Sequence, residues 1–136
     1  MKDIEKLEDV IKKCPQMEYE TNHYFGGGIY EREIRVPAGK CFTGKVHLTE
    51  HLAKLVKGTM TIVSEEGEGT FTGPYTFVSY PGAKRAGISH DNVVFSTFHH
   101  VGTLTNIDDI EKMLVVDSES DYLEHITCHL LHQEQA

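Results

Sequence analysis

The sequence predicts an all-β domain flanked by short helices, and three observations carry that prediction. Between Tyr19 and Gly102 the chain consists of short runs rich in Val, Ile, Thr, Tyr and Phe, punctuated by Gly and Pro at the intervals of antiparallel strands. Before and after this stretch the apolar spacing turns helical. A chain of 136 residues is the size of one ordinary domain, and no low-complexity tract, repeat or long linker divides it. The order of helix, strands and helices suggests a barrel or double-sheet sandwich with helical ends packed outside. The expected layout is a helical arm over 1–24, a β-barrel over 25–102 and helices over 103–136.

The elements follow in order. Ile4, Leu7, Val10 and Ile11 lie at helical spacing behind a possible Asp3 N-cap, and Pro15 acts as a stop, which predicts a short amphipathic helix over Asp3–Lys13. Gly26–Gly28 lacks the flanking strand, helix and trailing Lys of a phosphate-binding loop and reads as a flexible lead into the first long strand. That strand, IYEREIRV, sets Tyr30, Ile34 and Val36 against Glu31, Glu33 and Arg35. TMTIVSE, FTGPYTFVSY and NVVFSTFHH read as further strands, with GEG and PG between them as turns. In NIDDIEKML, Ile107, Ile110 and Leu114 share one helical face and Asn106 is placed to cap it. The last helix is expected through DYLEHITCHLLHQ, with Tyr122, Ile126 and Leu130 toward the barrel.

Charge and cysteine usage exclude several function classes. A net charge of −8 without any basic run argues against a protein that works by neutralising nucleic-acid phosphates or anionic lipid. The three cysteines, Cys14, Cys41 and Cys128, are odd in number and widely spaced, which suits a reducing compartment and thiols that neither pair nor bind metal. The charged amino terminus has no apolar core of a signal peptide, and no apolar run approaches the ~20 residues of a membrane span. The expectation is a cytoplasmic protein with no nucleic-acid or membrane partner.

The chemistry concentrates in GKVHLTEHLAKLVKG, residues 44–58, where His47 and His51 lie four apart. Periodicity alone leaves two readings. Leu48, Leu52, Leu55 and Val56 form a helical stripe, which would make the histidines a helical H-x-x-x-H pair. On a strand, Lys45, His47, Thr49 and His51 would share one side, and a barrel interior on that side would bring the two imidazoles together.

The wider stretch PAGKCFTGKVHLTEHLAKLVKGTMTI has the order of a first cupin motif. His47 stands at its second histidine and Gly58 at its glycine, while Lys45 replaces the first histidine and His51 the glutamate. FVSYPGAKRAG is similar to the second cupin motif, with Arg85 in the histidine's place. Taken together, TGKVHLTEH, GPYTFVSYPGAKRAG, DNVVFSTFH and NIDDIEKML resemble an uncharacterised family of small cupin-like proteins of tailed bacteriophages and prophages, over about residues 28 to 115. The resemblance implies a cupin-type double-stranded β-helix, a jelly-roll barrel, with short N- and C-terminal helices.

The resemblance also implies a third ligand at His99, which by strand parity shares a face with Val93, Phe95 and Thr97 while His100 falls on the other. Three neutral imidazoles, His47, His51 and His99, suit a divalent first-row metal such as iron, zinc, nickel or manganese. The plainer account is that they are histidines satisfied by hydrogen bonds. Arg85 and Lys84 in PGAKRAG, with Tyr80, are candidates to bind a ligand, although Arg85 has the alternative of pairing with Glu50 or Asp91. His90 and Glu50 are candidates to support the metal ligands from behind. His125, His129 and His132, with Cys128, form a rival zinc cluster on the last helix, where the alternative is a solvated face.

Two functions follow as expectations. One is a metal-dependent cupin that binds a small anionic molecule, with its transformation left open. The other is a barrel without turnover that sequesters a small molecule or serves in assembly. Fold analogy makes a homodimer the default.

Overall fold

The computed structural model describes residues 19–64 and 67–135. The helix expected over Asp3–Lys13 lies outside these residues, as does Cys14. Strand structure begins earlier than the expected boundary at residue 25: β1 runs Glu20–Gly26 and pairs with β2, Ile29–Val36, through the whole of its length. The glycines between them are the turn of a hairpin, not a flexible lead. Gly27 and Gly28 have φ of 58° and 80°, the double left-handed conformation of a two-residue turn whose twist matches the strands.

The chain then continues as β3 Cys41–Thr43, β4 Val46–His47, β5 His51–Lys57, β6 Thr59–Ser64, β7 Gly67–Thr72, β8 Tyr75–Ser79, β9 Ala86–Ser89 and β10 Val93–His100. Helix α1, Ile107–Leu114, leads into β11, Val115–Val116, and the chain closes with α2, Glu119–Gln135. The strands form a five-stranded sheet in the order β1-β2-β10-β5-β8, a four-stranded sheet β3-β9-β6-β7 and a small pair β11-β4. The pairings in these ladders are antiparallel.

Two local expectations change here. GEG opens β7 instead of forming a turn, and FTGPYTFVSY is split at Gly73–Pro74. The break lets β7 stay in the four-stranded sheet while β8 crosses to the five-stranded one. Between β5 and β6 the chain passes from the five-stranded to the four-stranded sheet at Gly58, whose φ of +92° L side chains rarely adopt; a Cβ there would also meet Asp91 Oδ1 at 2.7 Å.

Residues 44–58 hold two strands, β4 and β5, and no helix. In β5, His51, Ala53 and Leu55 are buried while Leu52 and Val56 are exposed, a period of two that defeats the helical stripe. The main core lies between the two larger sheets: Ile34, Val36, Leu55, Met60, Ile62 and Val93 are buried together, with Phe42, Phe71, Phe77 and Phe95 packed around them. A second cluster joins Tyr30 and Val101 to Ile110 and Leu114 of α1. Asn106 caps this helix as expected, its side chain accepting from Asp109 N–H at 3.1 Å.

The last helix departs from expectation. Tyr122 and Ile126 are half-buried, and Tyr122 lies against Gly82, but Leu130 is 53 % exposed and stands off the barrel. Cys41 and Cys128 are exposed free thiols. Among the described residues no helix is long and apolar enough to cross a membrane.

Candidate functional site

The inner face of the five-stranded sheet is organised in rows, because cross-strand partners share a face and alternate residues return to it. One row runs Phe25, Tyr30, His99, and continues to His51 and Ser79; Phe98 pairs with Leu52, which sets His99 beside His51. The next holds His23, Arg32, Thr97, Ala53 and Phe77. The third holds Thr21, Ile34, Phe95, Leu55 and Tyr75. The face therefore grades from imidazoles through an arginine and a threonine to an apolar floor.

His47 reaches this face from outside the sheet. It does not share a strand with His51: β4 ends at His47, and the bend at 48–50 turns a corner before β5. The corner is held by backbone bonds, His47 N–H to Ala83 O (3.1 Å), Gly82 N–H to His47 O (2.8 Å) and Leu48 N–H to Leu114 O (2.7 Å). The sequence places both histidines on one side of one strand; the structure brings them together across a corner. Ring centroids lie 4.4 Å apart for His47 and His51, 4.4 Å for His51 and His99, and 6.4 Å for His47 and His99. All three line one cavity of about 230 Å³ between the sheets and under α1.

Hydrogen bonds set two of the tautomers. A carbonyl only accepts, so His51 Nδ1 donates to Thr49 O (3.0 Å) and His47 Nδ1 donates to Ala83 O (3.4 Å), which leaves a lone pair on each Nε2. His99 Nε2 contacts Thr97 Oγ1 at 2.9 Å, leaving Nδ1. His51 Nε2 and His99 Nδ1 are buried without a hydrogen-bond partner. Two orphaned ring nitrogens on adjacent rings are unusual in a protein interior, where buried polar atoms are paired. The rings are also held neutral. His99 is pushed down to about 3 by burial, then by His51 and His47. His47 is pushed down to about 4 by burial and by His51, the Ala83 carbonyl opposing. Burial lowers His51 as well.

Lone pairs on neutral imidazoles, fixed from behind by backbone carbonyls, are the donor chemistry of a divalent metal site. As the rings stand, no set of three His, Cys, Asp or Glu among the described residues is arranged to hold an ion. The donor chemistry is nonetheless that of a divalent metal, and the three ring centroids lie within 6.4 Å of one another.

Of the candidates for ligand binding, Arg85 lines the cavity; its Nη1 donates to Ser79 Oγ (2.6 Å) and its guanidinium lies 5.0 Å from the Phe77 ring centre. The other candidates fall elsewhere. Lys84 is buried, donating to the Asp117 carbonyl at 3.3 Å, and is not among the cavity-lining residues. Tyr80 is 59 % exposed and Glu50 is exposed, both outside the cavity wall. His90 meets Thr61 Oγ1 at 2.6 Å, whereas the hydrogen bonds to the three rings come from Ala83, Thr49 and Thr97. Strand ends and turns carry Glu50, Tyr80 and His90 outward. His125 and Cys128 are exposed on α2; the side chains of His129 and His132 lie outside the described part.

Two cavity residues escaped the sequence reading. Tyr30 is buried in the wall, its hydroxyl 2.6 Å from His23 Nδ1, and burial raises its pKa. Arg32 projects inward between Tyr30 and Ile34. Its signal was available: parity in IYEREIRV puts Arg32 on the face of Tyr30, Ile34 and Val36.

Two antiparallel sheets closed over a histidine-lined cavity define a cupin-type β-barrel. No family model and no curated protein matches the sequence. In structure the chain is similar to a cupin-2 domain-containing protein from Shewanella frigidimarina NCIMB 400 at 11% identity and TM-score 0.51, over 69% of this chain and 91% of that one. It is similar to a cupin 2 domain-containing protein from Halorhodospira halophila at 16% identity and TM-score 0.53, over 72% and 79%. A third likeness is to a salicylate 1,2-dioxygenase from Pseudaminobacter salicylatoxidans, at 11% identity and TM-score 0.56, over 71% of this chain but 31% of that one. These likenesses establish the cupin fold.

Proposed function

We propose that this chain is a metal-binding cupin in which His47, His51 and His99 hold one divalent first-row transition metal, iron, zinc, nickel or manganese, beside a bound small anionic molecule. The observation that carries the reading is the pair of buried, unpartnered nitrogens, His51 Nε2 and His99 Nδ1, on rings 4.4 Å apart. The metal-dependent reading also draws on the similarity in fold to a dioxygenase. When bound, the metal supplies a Lewis acid that polarises an oxygen of the ligand.

The chain's own residues do the rest. The Thr49 and Ala83 carbonyls hold His51 and His47 in the tautomer that presents Nε2. Arg85 and Arg32 make the cavity positive toward an anion, since the histidines are neutral. Tyr30, with its hydroxyl hydrogen-bonded to His23, is the group in the wall placed to hold or pass a proton. The protein belongs, on this reading, to the phage and prophage cupin-like family that its motifs resemble, acts in the cytoplasm of the bacterial host as a homodimer, and forms a single domain over 1–136.

The test is metal analysis of purified, metal-loaded protein. The expected result is about one ion per chain, with loss of the ion in His51→Ala and in His99→Ala. A wild-type protein that takes up no ion, or variants that retain it in full, refutes the site. Mass spectrometry of what the protein releases on denaturation then separates turnover from sequestration.

A further inference from the structure

Beside the three histidines, the cavity wall carries the guanidinium of Arg32. Arg32 sits in the middle of β2, level with Thr97 of β10, one row from the histidines and one row from the apolar floor. Rows two residues apart are separated by about 7 Å along the strand. Neither a carboxylate nor any hydrogen-bond acceptor among the described residues engages its guanidinium. The acids on its own strand point away: Glu31 accepts from Ser96 Oγ (2.9 Å) and Glu33 pairs with Arg35 (3.0 Å). Glu111, the carboxylate that lines the cavity, is about half exposed and lies 3.8 Å from Lys45 Nζ. Arg85 already donates to Ser79. A half-buried guanidinium with five donors and no acceptor among the described residues is an incomplete arrangement, because enclosed charges are stabilised by partners.

Beyond Arg32 the cavity turns apolar, lined by Ile34, Phe42, Met60, Ile62 and Phe95. These side chains offer no donors or acceptors to a second charged group. A cavity of about 230 Å³ is smaller than the ~300–1,000 Å³ of sites for drug-sized ligands. We propose that Arg32 anchors the head group of a small monocarboxylate whose apolar body, of aryl size, lies against Ile34, Phe42 and Phe95. The planar guanidinium fork matches a carboxylate bidentately, whereas a phosphate would leave oxygens facing hydrocarbon. The inference deepens the proposed function by naming its ligand class and rests on that reading for the metal end alone. The carboxylate anchor stands on Arg32 and the apolar floor.

The experiment is isothermal titration of the full chain, chelator-treated and metal-loaded, with benzoate, its neutral isostere benzamide, and inorganic phosphate. Benzoate is expected to bind the chelator-treated protein, with benzamide at least about tenfold weaker, because a site built for a charged acceptor rejects the analogue lacking it. Arg32→Met should weaken benzoate by at least about tenfold, with Arg32→Lys recovering part of the loss. Phosphate should not compete. Benzamide binding as well as benzoate, phosphate displacing benzoate, or absence of benzoate binding overturns the inference; the benzamide comparison needs no variant and so survives a folding defect in Arg32→Met. Benzoate binding without any metal uptake would sink the metal site and leave the anchor standing. Metal uptake with no preference for benzoate would do the reverse.

Discussion

Lowering the pH from 7 to 5 should destabilise the metal-free protein, and the share due to His99 can be worked out. Its imidazole titrates near 6.5 when unfolded, but burial and the neighbouring rings hold it at about 3 in the fold. Between those values the unfolded chain takes up a proton that the folded chain refuses. Stability is therefore greatest above pH 6.5 and declines as pH falls through the window, by about 1.4 kcal/mol per unit for one imidazole. From pH 7 to 5 the loss is about 2 kcal/mol. His47, held at about 4, adds a comparable amount, so the two together cost about 4 kcal/mol, a large share of an ordinary domain's stability. Urea unfolding of chelator-treated protein at pH 7, 6 and 5, followed by circular dichroism, measures it. His99→Gln removes the titrating group, and its stability should fall by about 2 kcal/mol less over the same range. Equal losses in wild type and variant would refute the buried neutral imidazole.

Two further outcomes test the scaffold. Leu55→Ala empties a fully enclosed position between the sheets and should cost about 2–5 kcal/mol, read as a lower urea midpoint at unchanged slope. Asn106→Ala removes the cap of α1 and should cost about 1 kcal/mol; since Ile110 and Leu114 of that helix wall the cavity, thermal unfolding should shift downward with it.

Much of the barrel was legible because strand periodicity is local. Alternation in IYEREIRV matches β2 residue for residue, and the parity that sets His99 inward and His100 outward needs no knowledge of neighbours. The same parity carried Arg32, which was passed over because a charged residue on a core-facing position contradicts the usual pattern. The GEG segment and the split at Gly73–Pro74 were misread for a different reason: whether glycines turn or extend depends on which sheet the flanking residues join.

The amino-acid order by itself determined the antiparallel class and the helix behind Asn106, since each follows from side-chain period and capping over a few residues, while the resemblance of its motifs nominated the histidines. Tertiary structure alone decided that they do meet. The pairing of Phe98 with Leu52 sets His99 beside His51, and the corner held by Ala83 and Leu114 swings His47 over them. It also decided that Lys84 turns toward Asp117 and that Leu130 stands off the barrel. Such outcomes depend on contacts between segments tens of residues apart, whose geometry no local pattern encodes.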